Sequence, residues 1–356
     1  MSTISKRVVV AMSGGVDSSV AAAILKREGY EVIGASMRLW TEDDELLPSS
    51  HRRCCSIEHI DDARRVCQIL DIPFYALNFE PQFREHVVDP FCQEYLRGRT
   101  PNPCLACNDK IKFDLLLNRA LELGADYLAT GHYARIERTN GSYRLLKATD
   151  PDKDQSYALY TLGQKELEHI LFPLGNYHKS EARQIAQEMR LPVWSKEESQ
   201  EICFVTSGDY RSFLAKRGLL EPGEIVNSKD KVLGKHPGLG FYTVGQRRGL
   251  GLASQVPLYA LALDSKHNRL VVGTKEELFK KGLYASNLSF ICGEPPREPI
   301  SITAKIRYKS PEAKAVLHAN GSKARIEFEE SQRAITPGQA VVFYRGDTVV
   351  GGGTIE

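Results

Sequence analysis

The chain has 356 residues, 42% of them hydrophobic and 26% charged, and this length suits two or three globular domains. Its 47 Lys and Arg nearly balance its 45 Asp and Glu, so a net charge of +2 gives no general sign of nucleic-acid binding and leaves any RNA contact to local surfaces. Because we find no apolar run of membrane-spanning length, no signal-peptide core and only eight cysteines, we expect a cytosolic protein with no membrane partner and no secreted disulfide framework.

Strand and helix patterns alternate along roughly the first 200 residues. RVVVAM (7–12) is a continuous apolar run typical of a buried parallel strand, and the segment after SGGVDSS has helical spacing. Alternating apolar and turn patterns then predict strands at 31–40, 72–79 and 125–132 and helices at 56–71, 81–98 and 107–124, the second of these helices interrupted near Pro90. This alternation predicts an α/β fold with a doubly wound parallel sheet.

The remainder of the chain does not continue this alternation of strands and helices. Residues 135–148 predict a hairpin around Asn140-Gly141, inserted into the parallel sheet or trailing it. The stretch 206–285 mixes a short helix with glycine-rich, strand-like pieces, and alternating strands follow from 286. We therefore predict three domains: a catalytic domain over 1–205, a small mixed domain over 206–285 and a C-terminal antiparallel β-barrel over 286–356.

The loop SGGVDSS (13–19) joins the first strand to the first helix and has the features of a phosphate site. Its glycines let an anion approach the backbone, and its amides and serine hydroxyls offer hydrogen-bond donors. The loop lacks the lysine of a Walker P-loop and the spacing of a dinucleotide-binding loop. Asp17 suits a phosphate only with Mg²⁺ between them, which suggests a metal contact. The alternative is a plain turn in which Asp17 or Ser18 caps the helix.

SGGVDSS after a first strand resembles the PP-loop of the ATP pyrophosphatases, enzymes that split ATP between its α- and β-phosphates. Seven further stretches, taken in order, resemble the MnmA (TrmU) family of bacterial tRNA-specific 2-thiouridylases over nearly the whole chain. They are TPNPCLACNDKIKF (100–113), ATGHYAR (129–135), DKDQSYALY (152–160), SQEICFV (199–205), GLGFYTVGQRRGLG (238–251), IRYKSP (306–311) and TPGQAVVFYRGDTVVGGGTI (336–355).

The resemblance implies a sulfurtransferase that uses ATP and Mg²⁺ and releases AMP and pyrophosphate. Its substrate would be the wobble uridine, position 34, in the tRNAs for Lys, Glu and Gln, and residues 206–285 would help to bind the tRNA. Adenylating the C2 oxygen of the uracil turns it into a good leaving group, which a persulfide sulfur can displace. A partner protein that carries persulfide sulfur would supply that atom.

The resemblance also assigns residues to roles. Cys203 would carry the persulfide, and Cys107 would be the thiol that closes a disulfide with it; for Cys203 the alternative is a small core residue. Cys107 also begins a predicted helix, and a helix N-terminus lowers the pKa of a thiol. The positions that match the nucleotide site of the family are Ala11, Met12, Ser13, Gly14, Gly15, Val16, Asp17, Ser18, Met37 and Gly131.

RNA contacts are implied at positions spread over the chain. Lysine, arginine and tyrosine side chains suit phosphate binding and stacking on a flipped-out base. Arg247 and Arg248 form a further basic loop that could meet the tRNA stem. The positions that match the family are Asn102, Pro103, Cys104, His132, Lys153, Asp154, Gln155, Arg307, Tyr308 and Gln339.

Cys104 departs from the pattern of many relatives, which have aspartate there, so the acid-base or positioning role of that aspartate does not carry over. Cys104, Cys107 and Cys203 together resemble the three-cysteine [4Fe–4S] site of other tRNA thiolases, and the sequence leaves persulfide and cluster chemistry both open. Zinc is a weaker interpretation because a structural site needs four ligands. A dithiol redox pair is weaker still, since no thioredoxin-like pattern surrounds the two cysteines.

Two functions from other classes remain as alternatives. One is a PP-loop ligase with a small acceptor, which would need neither the paired cysteines nor a C-terminal β-domain. The other is an RNA-binding protein with a vestigial loop. Of the other cysteines, Cys67 and Cys92 are expected in the core, and Cys54, Cys55 and Cys292 receive no role.

Overall fold

The computed structural model describes residues 5–40, 57–197, 202–205, 210–218 and 220–356. Cys54, Cys55 and the first residues of the SQEICFV stretch lie outside the described residues. Among the helices of the described part, none combines the length and the apolar character needed to cross a membrane.

A five-stranded parallel sheet forms the N-terminal part of the molecule. Its strand order is β3-β2-β1-β4-β7, and β1 lies between β2 and β4 with parallel pairing on both sides. The expected α/β fold is thereby confirmed. The strands are β1 (Arg7–Ala11), β2 (Glu31–Arg38), β3 (Phe74–Asn78), β4 (Tyr127–Ala129) and β7 (Ile170–Leu171).

Both faces of this sheet are covered, as the apolar run in β1 requires. Val8 and Val10 join the apolar cluster on one face, and Val9 joins the cluster on the other, because successive strand residues point to opposite sides. The helices are α1 (Val16–Arg27), α2 (Ile57–Ile69), α3 (Glu80–Phe83), α4 (Asp89–Leu96), α5 (Pro103–Ala106), α6 (Leu117–Glu122), α7 (Gln164–Glu168), α8 (Lys179–Glu188) and α9 (Tyr210–Ala215).

Two of the predicted helices contain π-helical segments. Arg84–Val88 connects α3 to α4, and Cys107–Leu116 connects α5 to α6. The sequence predicted that the helix is interrupted near Pro90, and this prediction is wrong. The helical path continues, and Pro90 lies in the first turn of α4 directly after the wider π turns. A proline lacks an N–H donor, and a wider turn accommodates that loss without ending the helix.

Two β-sheets follow the catalytic domain. The central sheet is mixed, with the order β10-β11-β8-β9, and the C-terminal strands close into a six-stranded antiparallel barrel because β12 pairs with both β15 and β17. The expected border at 285 lies inside β12. The strands are β8 (Gly223–Asn227), β9 (Val232–His236), β10 (Tyr259–Asp264), β11 (Arg269–Gly273), β12 (Phe279–Phe290), β13 (Ile300–Lys305), β14 (Ala313–Asn320), β15 (Lys323–Arg333), β16 (Ala340–Arg345) and β17 (Thr348–Ile355), with short 3₁₀ turns at Ser156–Leu159, Leu239–Phe241 and Glu276–Leu278.

The predicted hairpin forms, but it extends the barrel sheet. Its strands are β5 (Arg135–Thr139) and β6 (Ser142–Leu146), and Asn140 and Gly141 both have positive φ, as a two-residue hairpin turn requires. β6 pairs with β17 at Leu146 and Thr348, so the parallel sheet is not its neighbour. The catalytic domain therefore contributes two strands to the C-terminal sheet.

Strand β16 attaches the barrel to the catalytic domain. Val341 and Phe343 point into the barrel core, whereas Val342 and Tyr344 pack in the apolar cluster beside the parallel sheet. The hydroxyl of Tyr157 in the catalytic domain donates a 2.9 Å hydrogen bond to the carbonyl of Ala340. A strand buried on both faces explains why this segment of an antiparallel barrel is apolar without interruption.

The core around β2 gives a stability prediction. Cys67 is fully buried, burial raises its thiol pKa to about 12, and a Cβ placed on Gly34 would overlap its Sγ. We expect Gly34→Ala to lower the free energy of unfolding by about 1–3 kcal/mol through overpacking. In Gly34→Ala/Cys67→Ala the clash is removed, so the double variant should lose less stability than the sum of the two single changes.

Denaturant unfolding of the four proteins measures this coupling. Simple additivity of the two single effects would contradict the packing assigned to Gly34 and Cys67.

Candidate active site

The expected nucleotide residues gather where the strand order of the parallel sheet reverses. β1 leads into α1 through the SGGVDSS loop, and the adjacent β4 leads into a turn that contains Gly131. In doubly wound sheets, ligands bind beyond the carboxyl ends of the strands at such a switch point. The fold therefore places the two segments at the position where a nucleotide site is expected.

The SGGVDSS loop is held by hydrogen bonds among its own residues. The backbone N–H of Ser13 donates to Oγ of Ser18 at 3.1 Å, and Oγ of Ser19 donates to the carbonyl of Gly15 at 2.8 Å. Gly14 has φ +70°, and a side chain there would overlap the carbonyl of His59. The loop is therefore preformed. Its position 14 requires glycine because the backbone has a positive φ and because no side chain fits beside His59.

Gly131 brings the β4 turn into contact with the first turn of α1. A Cβ on Gly131 would lie 2.6 Å from the backbone nitrogen of Ser18 and 2.7 Å from the carbonyl carbon of Asp17. The turn can therefore approach α1 this closely only with glycine. Gly131, which the resemblance assigns to the nucleotide site, therefore lies directly against the end of the SGGVDSS loop.

Asp17 is at the centre of a polar cluster at this junction. Nζ of Lys179 lies 2.7 and 2.8 Å from the two carboxylate oxygens of Asp17, and the hydroxyl of Tyr133 donates to Oδ1 at 2.9 Å. On the other side of the loop, Nζ of Lys196 donates to the carbonyl of Gly14 at 2.9 Å and pairs with Asp62 at 2.6 Å. Two lysines thus support a loop that has none of its own.

The other expected nucleotide positions divide between the loop and the core. Ala11 ends β1, Met12 is buried, and Val16 begins α1 with its side chain in the core. Met37 in β2 is partly buried and packs against two clusters: the one beneath the sheet and the one that contains the cysteines. Met37 therefore connects the nucleotide region to the sulfur region.

Cys107 lies inside a helical path and does not begin it. The helix begins at Pro103, Asn102 caps it by accepting a 3.1 Å hydrogen bond from the N–H of Cys104, and Cys107 follows as the first residue of the π-helical segment. The argument that a helix N-terminus lowers the thiol pKa therefore does not apply to Cys107. Cys104 occupies the first turn and is exposed, whereas Cys107 is only 8% exposed.

Cys203 packs against the same apolar cluster as Cys107. Its neighbour Phe204 is fully buried and makes ring contacts with Trp40, Phe83 and Phe91 at centroid distances of 5.2–6.3 Å. Phe204 thus anchors this short segment, and Cys203 itself is half-buried at the edge of the cluster. The structure places both expected sulfur residues on one apolar cluster that also contacts Met37.

The described side chains form no cluster of metal ligands. In the described ranges, which include Cys104, Cys107 and Cys203, no group of three or more His, Cys, Asp and Glu could hold a metal ion. Cys104, Cys107 and Cys203 do not form such a group among the described residues. Asp17 does fit Mg²⁺ bound together with ATP, because such ions take one or two carboxylates and complete their shell with phosphates and water.

His132 lies next to Gly131 in an apolar setting. Its ring contacts Phe113 and Phe172, and Nδ1 shares a 2.7 Å hydrogen bond with Oγ1 of Thr130. Burial, reinforced by the nearby positive charge of Lys112, holds the pKa of His132 well below its usual value. The imidazole is therefore neutral at neutral pH, able to donate or accept a hydrogen bond but not to carry charge.

Several expected RNA residues are engaged within the protein. Asp154 is buried and accepts hydrogen bonds from the N–H groups of Ala148 and Ser156 and from the hydroxyl of Ser156. Gln155 exchanges hydrogen bonds with the backbone of Tyr133 at 2.8 and 2.9 Å. These two side chains shape the loop that presents the partly exposed Lys153.

Arg307 joins the barrel to the central domain. Its guanidinium donates to Oγ1 of Thr336 at 2.7 Å and also to the carbonyls of Ala334 and Val244, and burial lowers its pKa. The adjacent Tyr308 is 37% exposed, with its ring 5.9 Å from that of Tyr157. Of Arg307 and Tyr308, Tyr308 is the residue whose side chain is more exposed to solvent.

Gln339 holds the segment that precedes the cysteine helix. Its side-chain amide donates to the carbonyl of Thr100 at 2.7 Å, and the N–H of Thr100 donates to the carbonyl of Pro337 at 2.9 Å. Arg99 donates to the carbonyl of Ile355 at 3.3 Å. The barrel thus fixes the start of the segment that leads to Asn102, Pro103 and Cys104.

Tyr133, Lys179 and Lys196 were not among the residues predicted from the sequence to lie at the site. Lys179 is 162 positions from Asp17, and Lys196 is 182 positions from Gly14. No local pattern marks such distant partners. Tyr133 adjoins the recognised Gly131 and His132, and this position beyond a strand end was the one available signal.

Comparisons with known proteins cover the chain in three parts. A model described as "tRNA methyl transferase HUP domain" matches residues 6–207. One described as "tRNA methyl transferase PRC-barrel domain" matches 211–274, and one described as "Aminomethyltransferase beta-barrel domain" matches 280–355. The first model alone covers more than half of the chain, and its range includes the phosphate loop and the expected catalytic cysteines.

Curated relatives match over the full length. A protein of Moorella thermoacetica named tRNA-specific 2-thiouridylase MnmA is 55% identical over 98% of this chain and 99% of its own. Proteins of the same name from Magnetococcus marinus and Clostridium botulinum are 51% and 48% identical, over 98% and 100% of this chain and 99% of each relative. The chain belongs to the tRNA-specific 2-thiouridylase MnmA family.

Proposed function

We propose that this protein is an ATP-dependent tRNA-uridine 2-sulfurtransferase that converts the wobble uridine of tRNA to 2-thiouridine. The observation that carries the proposal is that Cys203 and Met37 pack against the apolar cluster that contains Cys107, while the SGGVDSS loop lies at the switch point of the sheet. The substrates are the tRNAs for Lys, Glu and Gln, and the reaction takes place in the cytosol with sulfur from a persulfide carrier protein. Family membership supports the choice of tRNA as substrate.

The first step activates the base. The C2 oxygen of the uridine attacks the α-phosphorus of ATP, and the bond between the α- and β-phosphates breaks with its electron pair leaving on pyrophosphate. The preformed loop around Gly14 and Gly15 and the amides that begin α1 bind the phosphates. Asp17 would hold Mg²⁺, which when bound neutralises phosphate charge.

The second step transfers sulfur. The outer sulfur of the Cys203 persulfide attacks C2, and the bond from C2 to the adenylated oxygen breaks to release AMP. The thiolate of Cys107 then attacks Sγ of Cys203, breaking the S–S bond and leaving the outer sulfur on the base. The product is a Cys107–Cys203 disulfide, so each turnover requires a thiol reductant and a new persulfide on Cys203.

The target base enters between the nucleotide and the sulfur residues. We assign Asn102, Pro103 and Cys104 to one side of the base and the neutral His132 to another. Lys153 and Tyr308 have exposed surface for phosphate and base contacts, and Arg247 and Arg248 are exposed on the central domain. The internal bonds of Asp154, Gln155, Arg307 and Gln339 favour a role in positioning the segments that meet the RNA.

We expect Cys203→Ser and Cys107→Ser each to lower 2-thiouridine formation by about a thousandfold or more, since each sulfur atom is covalently involved. Pyrophosphate release in the presence of tRNA should persist, because adenylation precedes sulfur transfer. Mass spectrometry of tRNA nucleosides and a pyrophosphate assay measure the two steps separately.

Cys292→Ser is the matched control, because Cys292 is exposed on the barrel side of the molecule and should leave both rates unchanged. Full 2-thiouridine turnover of Cys203→Ser with purified tRNA would defeat the proposal. Tight tRNA binding by the wild-type protein without pyrophosphate release would favour the RNA-binding alternative.

A second prediction separates persulfide chemistry from cluster chemistry. After anaerobic purification we expect no stoichiometric iron, and 2-thiouridine formation driven by a persulfide donor should survive chelation. Cys104→Asp, which restores the residue of many relatives, should remain active. About four iron atoms per chain, with activity lost on their removal, would instead make Cys104, Cys107 and Cys203 ligands of a [4Fe–4S] cluster.

A third prediction follows from the lowered pKa of His132. As pH falls below about 6.5, unfolded chains take up a proton that the folded His132 does not accept, so the free energy of unfolding decreases. His132→Gln removes this contribution, and its stability should fall less between about pH 7.5 and about pH 5.5. Urea unfolding at both pH values measures the difference. His59 and His236, whose pKa values are also lowered, contribute equally to both proteins, so identical pH dependence would contradict the burial assigned to His132.

A further inference from the structure

The phosphate loop has a cation that its own sequence does not contain. Lys179, the first residue of α8, has a side chain only 11% exposed, and its ammonium contacts both carboxylate oxygens of Asp17. Tyr133 contacts the same carboxylate from the turn after β4. Two elements of the fold, α8 and the turn after β4, thus converge on Asp17 at the edge of the loop.

The packing of α8 against α1 does not by itself explain why a lysine is buried at position 179. α8 already contacts α1 through Ala182 and Ala186, which are both fully buried in the apolar cluster that includes the alanines of α1. A buried ion pair adds little net stability, because the cost of removing two charges from water offsets their attraction. The position of the charge therefore points to a role in the site.

Charge balance at the loop indicates which role this is. Asp17 lies in the first turn of α1, where its negative charge would oppose the entry of a triphosphate. An ammonium beside it cancels that repulsion and adds a compact positive charge that is well suited to phosphate. Lys196 has a different role. It donates to the carbonyl of Gly14 and pairs with Asp62, and these two contacts stabilise the loop.

We propose that Lys179 is a phosphate-binding residue that contacts the β- and γ-phosphates of ATP and positions Asp17 beside them. The inference rests on the proposed function, because it names a further residue of the same ATP site. When the bond between the α- and β-phosphates breaks, the electron pair stays on pyrophosphate, and the ammonium of Lys179 stabilises that charge without losing its proton. Lys179 on α8 thus provides the positive charge for the β- and γ-phosphates that, in a Walker P-loop, comes from a lysine within the loop itself.

Binding measurements without tRNA and without Mg²⁺ test this role directly. By titration calorimetry, we expect Lys179→Met to weaken ATP and inorganic pyrophosphate by about 10- to 100-fold, the range for a hydrogen bond to a charged group. The affinity for AMP, which lacks both outer phosphates, should be unchanged. Lys179→Arg keeps the charge and should retain part of the pyrophosphate affinity.

Two controls separate phosphate binding from folding. Lys147→Met removes a comparably buried lysine, paired with Glu312 at 2.6 Å on the barrel side, and should leave ATP affinity unchanged. Asp17→Asn/Lys179→Met removes both charges of the pair, so neither is left buried alone. We expect this double variant to bind pyrophosphate at least about tenfold more weakly than Asp17→Asn alone.

The results test the role of Lys179 and the proposed function separately. If Asp17→Asn and Asp17→Asn/Lys179→Met bind pyrophosphate equally well, Lys179 only neutralises Asp17 and the inference is overturned while the proposed function stands. If the wild-type protein binds neither ATP nor pyrophosphate under any condition, both the proposed function and the inference fail.

Discussion

The site depends on one close approach between two backbone segments. Gly131 lets the turn after β4 lie directly against the first turn of α1, with no side chain between them. This contact brings Tyr133 to Asp17 and leaves His132 facing the apolar surface of Phe113 and Phe172. The proposed nucleotide and base positions thus share one rigid support, which is what catalysis by positioning requires.

The C-terminal barrel is structurally part of the active domain. β16 is buried on both faces, the hairpin of β5 and β6 extends the barrel sheet, and Gln339 reaches Thr100 ahead of the cysteine helix. Arg307 adds a connection to the central domain through Val244. Movement of RNA on the barrel would therefore be transmitted to the segment that leads to Cys107.

Local pattern was sufficient for most of the fold and for the phosphate loop. The apolar run of β1, the Asn140-Gly141 turn and the alternation of strands and helices each depend on near neighbours in sequence, so these elements could be predicted. The partner sheet of the hairpin and the helical path through Pro90 depend on tertiary packing and a π turn, and here the sequence was misleading. Cys107 was misplaced at a helix start for a related reason: Pro103 and the Asn102 cap already begin the helix.

Other features of the site were beyond any sequence pattern. Lys179 and Lys196 reach the loop only through the fold, and nothing in the sequence around them marks them as its partners. Likewise, the family resemblance suggests RNA contact for Asp154 and Gln339, while their hydrogen bonds within the protein become visible only in three dimensions.

The bond from Gln339 to Thr100 spans 239 positions of sequence, and that from Arg99 to Ile355 spans 256. A ribosome that has just completed the parallel sheet has therefore made the helix that contains Cys107 but not the barrel residues that bond to Arg99 and Thr100. The cysteine segment gains these anchors only after the barrel has emerged and closed through β12 and β17. During synthesis, the segment that leads to Cys107 therefore gains its last hydrogen bonds only when the chain is almost complete.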